Sequence, residues 1–267
     1  MEFPKIPNDE LIRRLAPPKG KVRMILDTDT YNEVDDQFAL AYALRSPERI
    51  QMEAVYAAPF YNNRSTGPKD GMEKSYDEIL RILRLLGVSS NNFTYRGSTD
   101  YLQDAETPQE SEAARDLVQR AMTCEDGPLY VVAIGAITNI ASAILMEPKI
   151  IEKMVVVWLG GHAFFWPEAR EFNLMQDIHA SRLIFDCGVP LIHIPCAGVT
   201  THLTTTIPEL EHYLMGKSEI GTYLTDIVRG LYRGALWVVQ GHLGCSHHCL
   251  AEQPPMGPPP AWSTVPF

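Results

Sequence analysis

Between residues 21 and 196 short apolar runs alternate with longer amphipathic ones, and this alternation constrains the fold more than any other feature of the sequence. The apolar runs fall at 22–26, 53–57, 93–95, 129–134, 154–159 and 191–194. Several are apolar throughout, as strands are when both faces of a parallel sheet are covered. Between them, spacing predicts helices over 34–46, 71–86, 108–122, 137–146 and 177–187. In the second of these Met72, Tyr76, Ile79, Leu80, Ile82, Leu83 and Leu86 recur at helical intervals, and Gly87 supplies the stop. Residues 208–236 read as one or two further helices, with Pro208 suited to a first turn and Gly216 to a break. The expected architecture is α/β, an open, mostly parallel, doubly wound sheet with helices on both faces. No internal repeat or Gly-, Pro- or Ser-rich linker divides it.

A chain of 267 residues can bury a sizeable core without staples. Its 23 basic and 33 acidic residues give a net charge of -10, spread along the chain, which argues against a nucleic-acid partner. No run approaches the roughly 20 apolar residues of a membrane span, and the opening MEFPKIPNDE is too polar for a signal peptide. The expected setting is therefore cytoplasmic, with no membrane partner. Cys124, Cys187, Cys196, Cys245 and Cys249 are odd in number and irregularly spaced, so free thiols are expected.

The strongest chemical signal is ILDTDTYNEVDDQFALAYAL, residues 25–44. A strand delivers Asp27 and Asp29 at its carboxyl end, and a short loop leads to a helix opening with Asp35 and Asp36. In an open α/β sheet that edge is where ligands bind. The helix dipole alone favours acidic residues in a first turn, yet these four aspartates within ten residues repel one another unless a cation neutralises them. Two readings stand: an oxygen-only metal site suited to Ca²⁺ or Mg²⁺, or solvated carboxylates capping loop and helix.

DTDTYNEVDD also resembles the signature of the inosine-uridine preferring nucleoside hydrolases, in a form with two extra residues between the second and third aspartates. VVAIGAITNIASAI at 131–144, WLGG at 158–161 and REFNLMQDIHASRLIF at 170–185 are similar to later motifs of that family, in the same order. The resemblance implies a nucleoside hydrolase-like sheet and a Ca²⁺-dependent enzyme that cleaves the N-glycosidic bond of a nucleoside or a glycoside-like small molecule. It implies that Asp29 and Asp36 bind Ca²⁺ through carboxylates and Ile134 through its main-chain carbonyl. Asp29 would also take a proton from the attacking water, Asp35, Glu171 and Asn173 would hold the ribose hydroxyls, and Asp27 would support the loop. A homodimer or homotetramer is implied in the same way.

Other residues keep two readings. Glu171 and Asn173 either share one side of an extended segment across Phe172 or form a polar pair in a loop. Thr138 and Asn139 read mainly as caps of the helix they open. His162 is a pocket residue or an ordinary loop histidine, and Trp158 stacks on a ligand or packs in the core. Two departures bear on the substrate. The segment HAFFWPEAR at 162–170 is short for the family, and Pro59 stands where the family usually has a ribose-contacting asparagine, which Asn62 or Asn63 could replace only if the loop folds back. These departures leave open a related hydrolase with a non-nucleoside sugar substrate, or a catalytically impaired sugar- or nucleoside-binding protein.

Residues 1–20 read as an N-terminal extension, 21–237 as the α/β domain, and 238–267 as an atypical tail. Residues 241–267 hold six of the 20 prolines and three of the eight histidines, and no aspartate follows Asp226. The family closes its metal site with one more aspartate near this end. Read one nucleotide later from inside the Val238 codon, residues 238–258 can encode Trp-Ser-Lys-Val-Ile-Trp-Asp followed by an apolar run, with the aspartate codon straddling Gly244 and Cys245. The tail is thus expected to be a frameshift product that removes one metal ligand. Taken literally, Cys245, His247, His248 and Cys249 are too cramped for the common zinc spacings.

Overall fold

A computed structural model describes residues 2–123 and 127–234. The expected frameshift and the Cys245–Cys249 cluster lie outside the described residues. Strands β1 (Val22–Thr28), β2 (Ile50–Ala57), β3 (Thr94–Arg96), β4 (Leu129–Ala133), β5 (Met154–Leu159) and β6 (Leu191–Ile194) form one sheet in the order β3-β2-β1-β4-β5-β6. Every neighbouring pair is parallel. The helices are α1 (Asn8–Leu15), α2 (Asp35–Leu44), α3 (Pro68–Leu86), α4 (Glu112–Met122), α5 (Thr138–Met146), α6 (Phe172–Gln176), α7 (Ile178–Asp186), α8 (Ile207–Tyr213) and α9 (Glu219–Gly234).

Alternation along the strands builds a core on each face of the sheet. Ile25, Ala54, Tyr56, Val131, Val156 and Trp158 join Leu117 of α4, Ile140 and Ile144 of α5 and Ile184 of α7. On the opposite face Met24, Leu26, Val55 and Ala57 join Leu40 of α2, Met72, Ile79 and Leu83 of α3 and Leu224 of α9. A sheet covered twice explains the continuously apolar strands.

Pro68 sits in the first turn of α3 and Gly87 closes it in the left-handed region, at φ 69°. α8 and α9 are separated at Gly216, φ 72°, and α8 opens with a capping box between Thr206 and Glu209. α1 was not foreseen. Within the expected extension it is joined to the short helical turn Pro148–Lys153 by Arg14, which donates to the Glu152 carbonyl at 2.6 Å, while Phe3 and Ile6 pack on the larger core. Cys187 is a buried free thiol, whereas Cys196 is disulfide-bonded, which corrects the expectation of free thiols throughout. Among the described residues no helix is long and apolar enough to cross a membrane.

Strand order positions the site. The chain runs β1, β2, β3 outward in one direction, then returns to place β4 on the other side of β1. The carboxyl ends of β1 and β4 therefore flank the point where winding reverses, the crevice in which open α/β sheets bind ligands.

Candidate active site

A cleft opens at that point, lined by Asp29, Asn32, Glu33, Asp35, Asp36, Ile134, Leu159, Glu171, Phe172 and Asn173. β1 ends at Thr28, so Asp29 is the first residue beyond the sheet, and its carbonyl accepts the Asn32 N–H at 2.7 Å to form the turn toward α2. A Cβ at Gly135 would lie 3.1 Å from the Asp29 Cγ and 3.2 Å from the Ala58 Cβ, so glycine there keeps room for the Asp29 side chain. Asp35 and Asp36 occupy the first turn of α2, where the dipole favours their charge.

Asp29 is buried and its Oδ2 has no hydrogen-bond partner. Asp36 accepts a bond from the Thr28 hydroxyl, which also pairs with Thr30 Oγ1 at 2.9 Å. Burial, followed by the charges of Asp36, Glu33 and Asp35, pushes the Asp29 carboxyl well above its usual range. Asp36 is pushed the same way by burial and Asp35, against the Thr28 bond. Burial and then Asp35, Asp36 and Glu171 raise Glu33, which Arg64 partly offsets. Asp35 and Glu171 are raised by burial, against backbone N–H donors. So many carboxyls in one cleft cannot all ionise cheaply, and a bound cation reverses that balance.

Beneath the cleft lies a network that sequence reasoning assigned otherwise. Thr138 and Asn139 do not cap α5; its N-cap is Ile137, with no side-chain cap bond. Both side chains are buried cross-links instead. Asn139 Nδ2 donates to Asp27 Oδ1 at 2.7 Å and to the Ala57 carbonyl at 3.3 Å, while its Oδ1 accepts from the Ser98 N–H at 2.7 Å and the Ser98 hydroxyl at 2.9 Å. Thr138 donates to Asp177 Oδ2 at 2.8 Å. Asp27 thus sits under the loop, its Oδ2 unpartnered, and burial pushes it up to about 7 against the Asn139 bond.

Glu171 and Asn173 reach the cleft by a route other than strand alternation. Glu171 is the N-cap of α6, and its Oε2 accepts from Leu174 N–H at 3.0 Å and Gly161 N–H at 2.7 Å. Gly161 takes φ 66° to present that N–H, which accounts for the glycine in WLGG. Asn173, in the first turn, donates to the carbonyls of Ile134 at 3.1 Å and Leu159 at 3.0 Å.

Trp158 and His162 are not brought into the cleft. Trp158 is 0 % exposed, donates through its indole to the Gly135 carbonyl at 3.2 Å and packs 5.8 Å from Phe185. Both ring nitrogens of His162 engage main chain, at the Arg170 carbonyl and the Ala197 N–H. Burial lowers its pKa. The loop after β2 does fold back: Asn62 donates to Asn32 Oδ1 at 2.6 Å, and Arg64 donates to the Asn32 carbonyl at 2.9 Å with its guanidinium 4.7 Å over the Tyr31 ring. Glu33 was passed over by sequence reasoning, although the two-residue lengthening of the loop carried the signal.

The cleft's acidic side chains that could hold a metal, Asp29, Glu33, Asp35, Asp36 and Glu171, offer oxygen alone. Among the described residues no set of three or more His, Cys, Asp and Glu side chains has metal-holding geometry. The unpartnered, buried Asp29 Oδ2 and the crowding of carboxyls fit a hard cation.

Comparison with known proteins agrees with this architecture. The chain is 26% identical over 236 residues to "Probable uridine nucleosidase 2" of Arabidopsis thaliana, covering 79% of this chain and 70% of that one. It is 25% identical over 230 residues to "Pyrimidine-specific ribonucleoside hydrolase RihA" of Klebsiella pneumoniae, covering 77% and 70%. Among solved structures, a plant nucleoside hydrolase, PpNRh1, superposes with a TM-score of 0.63 at 23% identity over 82% of this chain and 73% of its own. A purine-preferring ribonucleoside hydrolase from Gardnerella vaginalis gives 0.62 at 24% identity over 84% and 76%. The family model described as inosine-uridine preferring nucleoside hydrolase matches residues 24–251, and the chain belongs to that family.

Proposed function

We propose that this protein hydrolyses the N-glycosidic bond of a ribonucleoside to ribose and free base, with Ca²⁺ as cofactor. The observation that carries the reading is the buried Asp29 carboxylate, with Oδ2 free, at the floor of an acidic cleft where the winding of the sheet reverses. Asp29 and Asp36 would hold the ion through carboxylates and Ile134 through its carbonyl. When bound, Ca²⁺ lowers the pKa of a water and orients it toward the anomeric carbon.

The chain's own residues supply the rest. Asp29 Oδ2 has no other partner and is free to accept the proton of the attacking water. Asp35, Glu171 and Asn173 line the same cleft and would take the ribose hydroxyls; Glu171 is fixed for this by two backbone N–H donors and Asn173 by two carbonyls. Positive charge develops on the sugar as the bond breaks, and the surrounding carboxylates stabilise it. Asp27 holds the loop from below through Asn139.

Relatives named for uridine, pyrimidine and purine ribosides place both base classes in the assay. Release of reducing sugar from inosine, uridine and nicotinamide riboside is measured with Ca²⁺ and with chelator. Turnover that requires Ca²⁺ and disappears in Asp29→Ala, with the circular dichroism spectrum retained, is the expected result. Chelator-resistant turnover, or activity retained in Asp29→Ala, refutes the mechanism. A second reading, hydrolysis of a glycoside with another sugar, draws on Pro59 and on Asn62, which pairs with Asn32. Turnover of such a glycoside without turnover of ribonucleosides would establish it.

A further inference from the structure

We propose that Gln176 is a positioning residue, a clamp that holds two loops at the cleft in register with the helix that carries Asn173. The inference rests on the hydrolase reading above and adds a residue to it. Gln176 ends α6, three positions after Asn173, and does not itself line the cleft. Its carboxamide pairs with the main chain of Tyr61 on both sides: the Tyr61 N–H donates to Oε1 at 2.8 Å, and Nε2 donates to the Tyr61 carbonyl at 3.2 Å. The same Oε1 accepts the Tyr101 hydroxyl. One half-buried side chain thereby joins α6, the loop after β2 and the loop after β3.

Each loop has a second anchor at the site. The β2 loop is fastened through Asn62 and Arg64 to Asn32, which lines the cleft. The β3 loop is fastened by the Leu102 N–H to Asp177 Oδ2 at 2.9 Å, one residue beyond the clamp. The Tyr61 ring is 54 % exposed, outside the core.

The chemistry explains why the residue is glutamine. Tyr61 presents one donor and one acceptor, and a primary amide offers both together, with a second lone pair on Oε1 for the phenol. Glutamate could accept both bonds but would face the Tyr61 carbonyl with an oxygen. Methionine fills similar space and makes none of the three.

The test uses the full chain and the variants Gln176→Met, Gln176→Glu, Tyr101→Phe and the Gln176→Met/Tyr101→Phe pair. Gln176→Met should raise KM for the best riboside about tenfold with kcat within about twofold, because the loops contribute equally to ground-state and transition-state binding. Gln176→Glu should fall between it and wild type. The pair should show no KM increase beyond Gln176→Met, since both changes remove one shared bond. Hydrogen exchange at the Tyr61 amide should accelerate in Gln176→Met. An active wild type with unchanged KM in Gln176→Met, additive effects in the pair, or unaltered Tyr61 exchange overturns the clamp. A wild type that turns over no riboside refutes the hydrolase reading, and the kinetic role of Gln176 falls with it.

Discussion

Replacing Asn139 by alanine tests whether the site is held up by the buried network beneath it. Asn139 is 0 % exposed and makes four hydrogen bonds, to Asp27, to the Ala57 carbonyl and to the N–H and hydroxyl of Ser98. The Ser98 hydroxyl keeps a weaker alternative, the Gln109 carbonyl at 3.4 Å. The Ser98 N–H and Asp27 Oδ1 lose a short bond each, and Asp27 Oδ2 already lacks a partner. A buried group left unsatisfied costs about 1–3 kcal/mol, more when charged. Two such groups and the weaker Ala57 contact give a loss of about 4 kcal/mol for Asn139→Ala. In a domain of this size that lowers Tm by about 8–16 °C. Urea unfolding of wild type and variant in the same buffer, with equal m-values, measures it. A loss below about 1 kcal/mol would show that water enters and satisfies both groups, and would refute the claim that Asn139 is the buried strut of the Asp27 loop.

Three further outcomes are expected. Calcium at about a hundredfold over its Kd should stabilise the protein by about 2.7 kcal/mol, visible as a higher Tm that chelator reverses, whereas a Tm indifferent to both would remove the ion from the site. Trp158→Phe should cost about 1 kcal/mol for the lost bond to the Gly135 carbonyl and leave KM unchanged, because the ring is buried away from the cleft; a raised KM would return Trp158 to the substrate. Sequencing the DNA that encodes residues 234–238 should reveal a one-nucleotide shift, and the frame-restored chain should bind Ca²⁺ at least about tenfold more tightly, as one added carboxylate ligand requires; equal affinity in the two chains would end that account.

Most strands were legible because they centre on short apolar runs, and the predicted 154–159 and 191–194 coincide with β5 and β6. β1 ran two residues further than its apolar run, to Thr28, because Asp27 pairs in the sheet with Tyr56 and Ala133 despite its charge. Hydropathy cannot signal a buried carboxylate whose partner, Asn139, lies 112 positions away. The same limit hid the linking roles of Thr138 and Asn139, which at a helix start look like caps, and of Gln176, which bonds to Tyr61 across 115 positions. The segment of α6 reads from sequence as extended or as a loop because its five residues are too few for helical periodicity. The acidic loop was legible because its chemistry is local: Asp29, Asp35 and Asp36 lie within one turn and one helix start.

Charge in the cleft also bears on why one ligand more or less matters here. Asp29, Glu33, Asp35, Asp36 and Glu171 all line it, yet on the proposed reading only Asp29 and Asp36 bind the ion, and Asp35 and Glu171 are committed to the sugar. Glu171 caps α6, and its Oε2 is engaged by the N–H groups of Gly161 and Leu174. The Arg64 charge partly offsets the crowding of Glu33. On that reading a hard cation seeking six to eight oxygens would take two carboxylates and one carbonyl from this part of the chain and the remainder from water and substrate. Another carboxylate would have to come from a different element, and no aspartate follows Asp226 in this sequence. On the proposed reading the acidity of the cleft would attract the ion, and one further carboxylate would strengthen its retention.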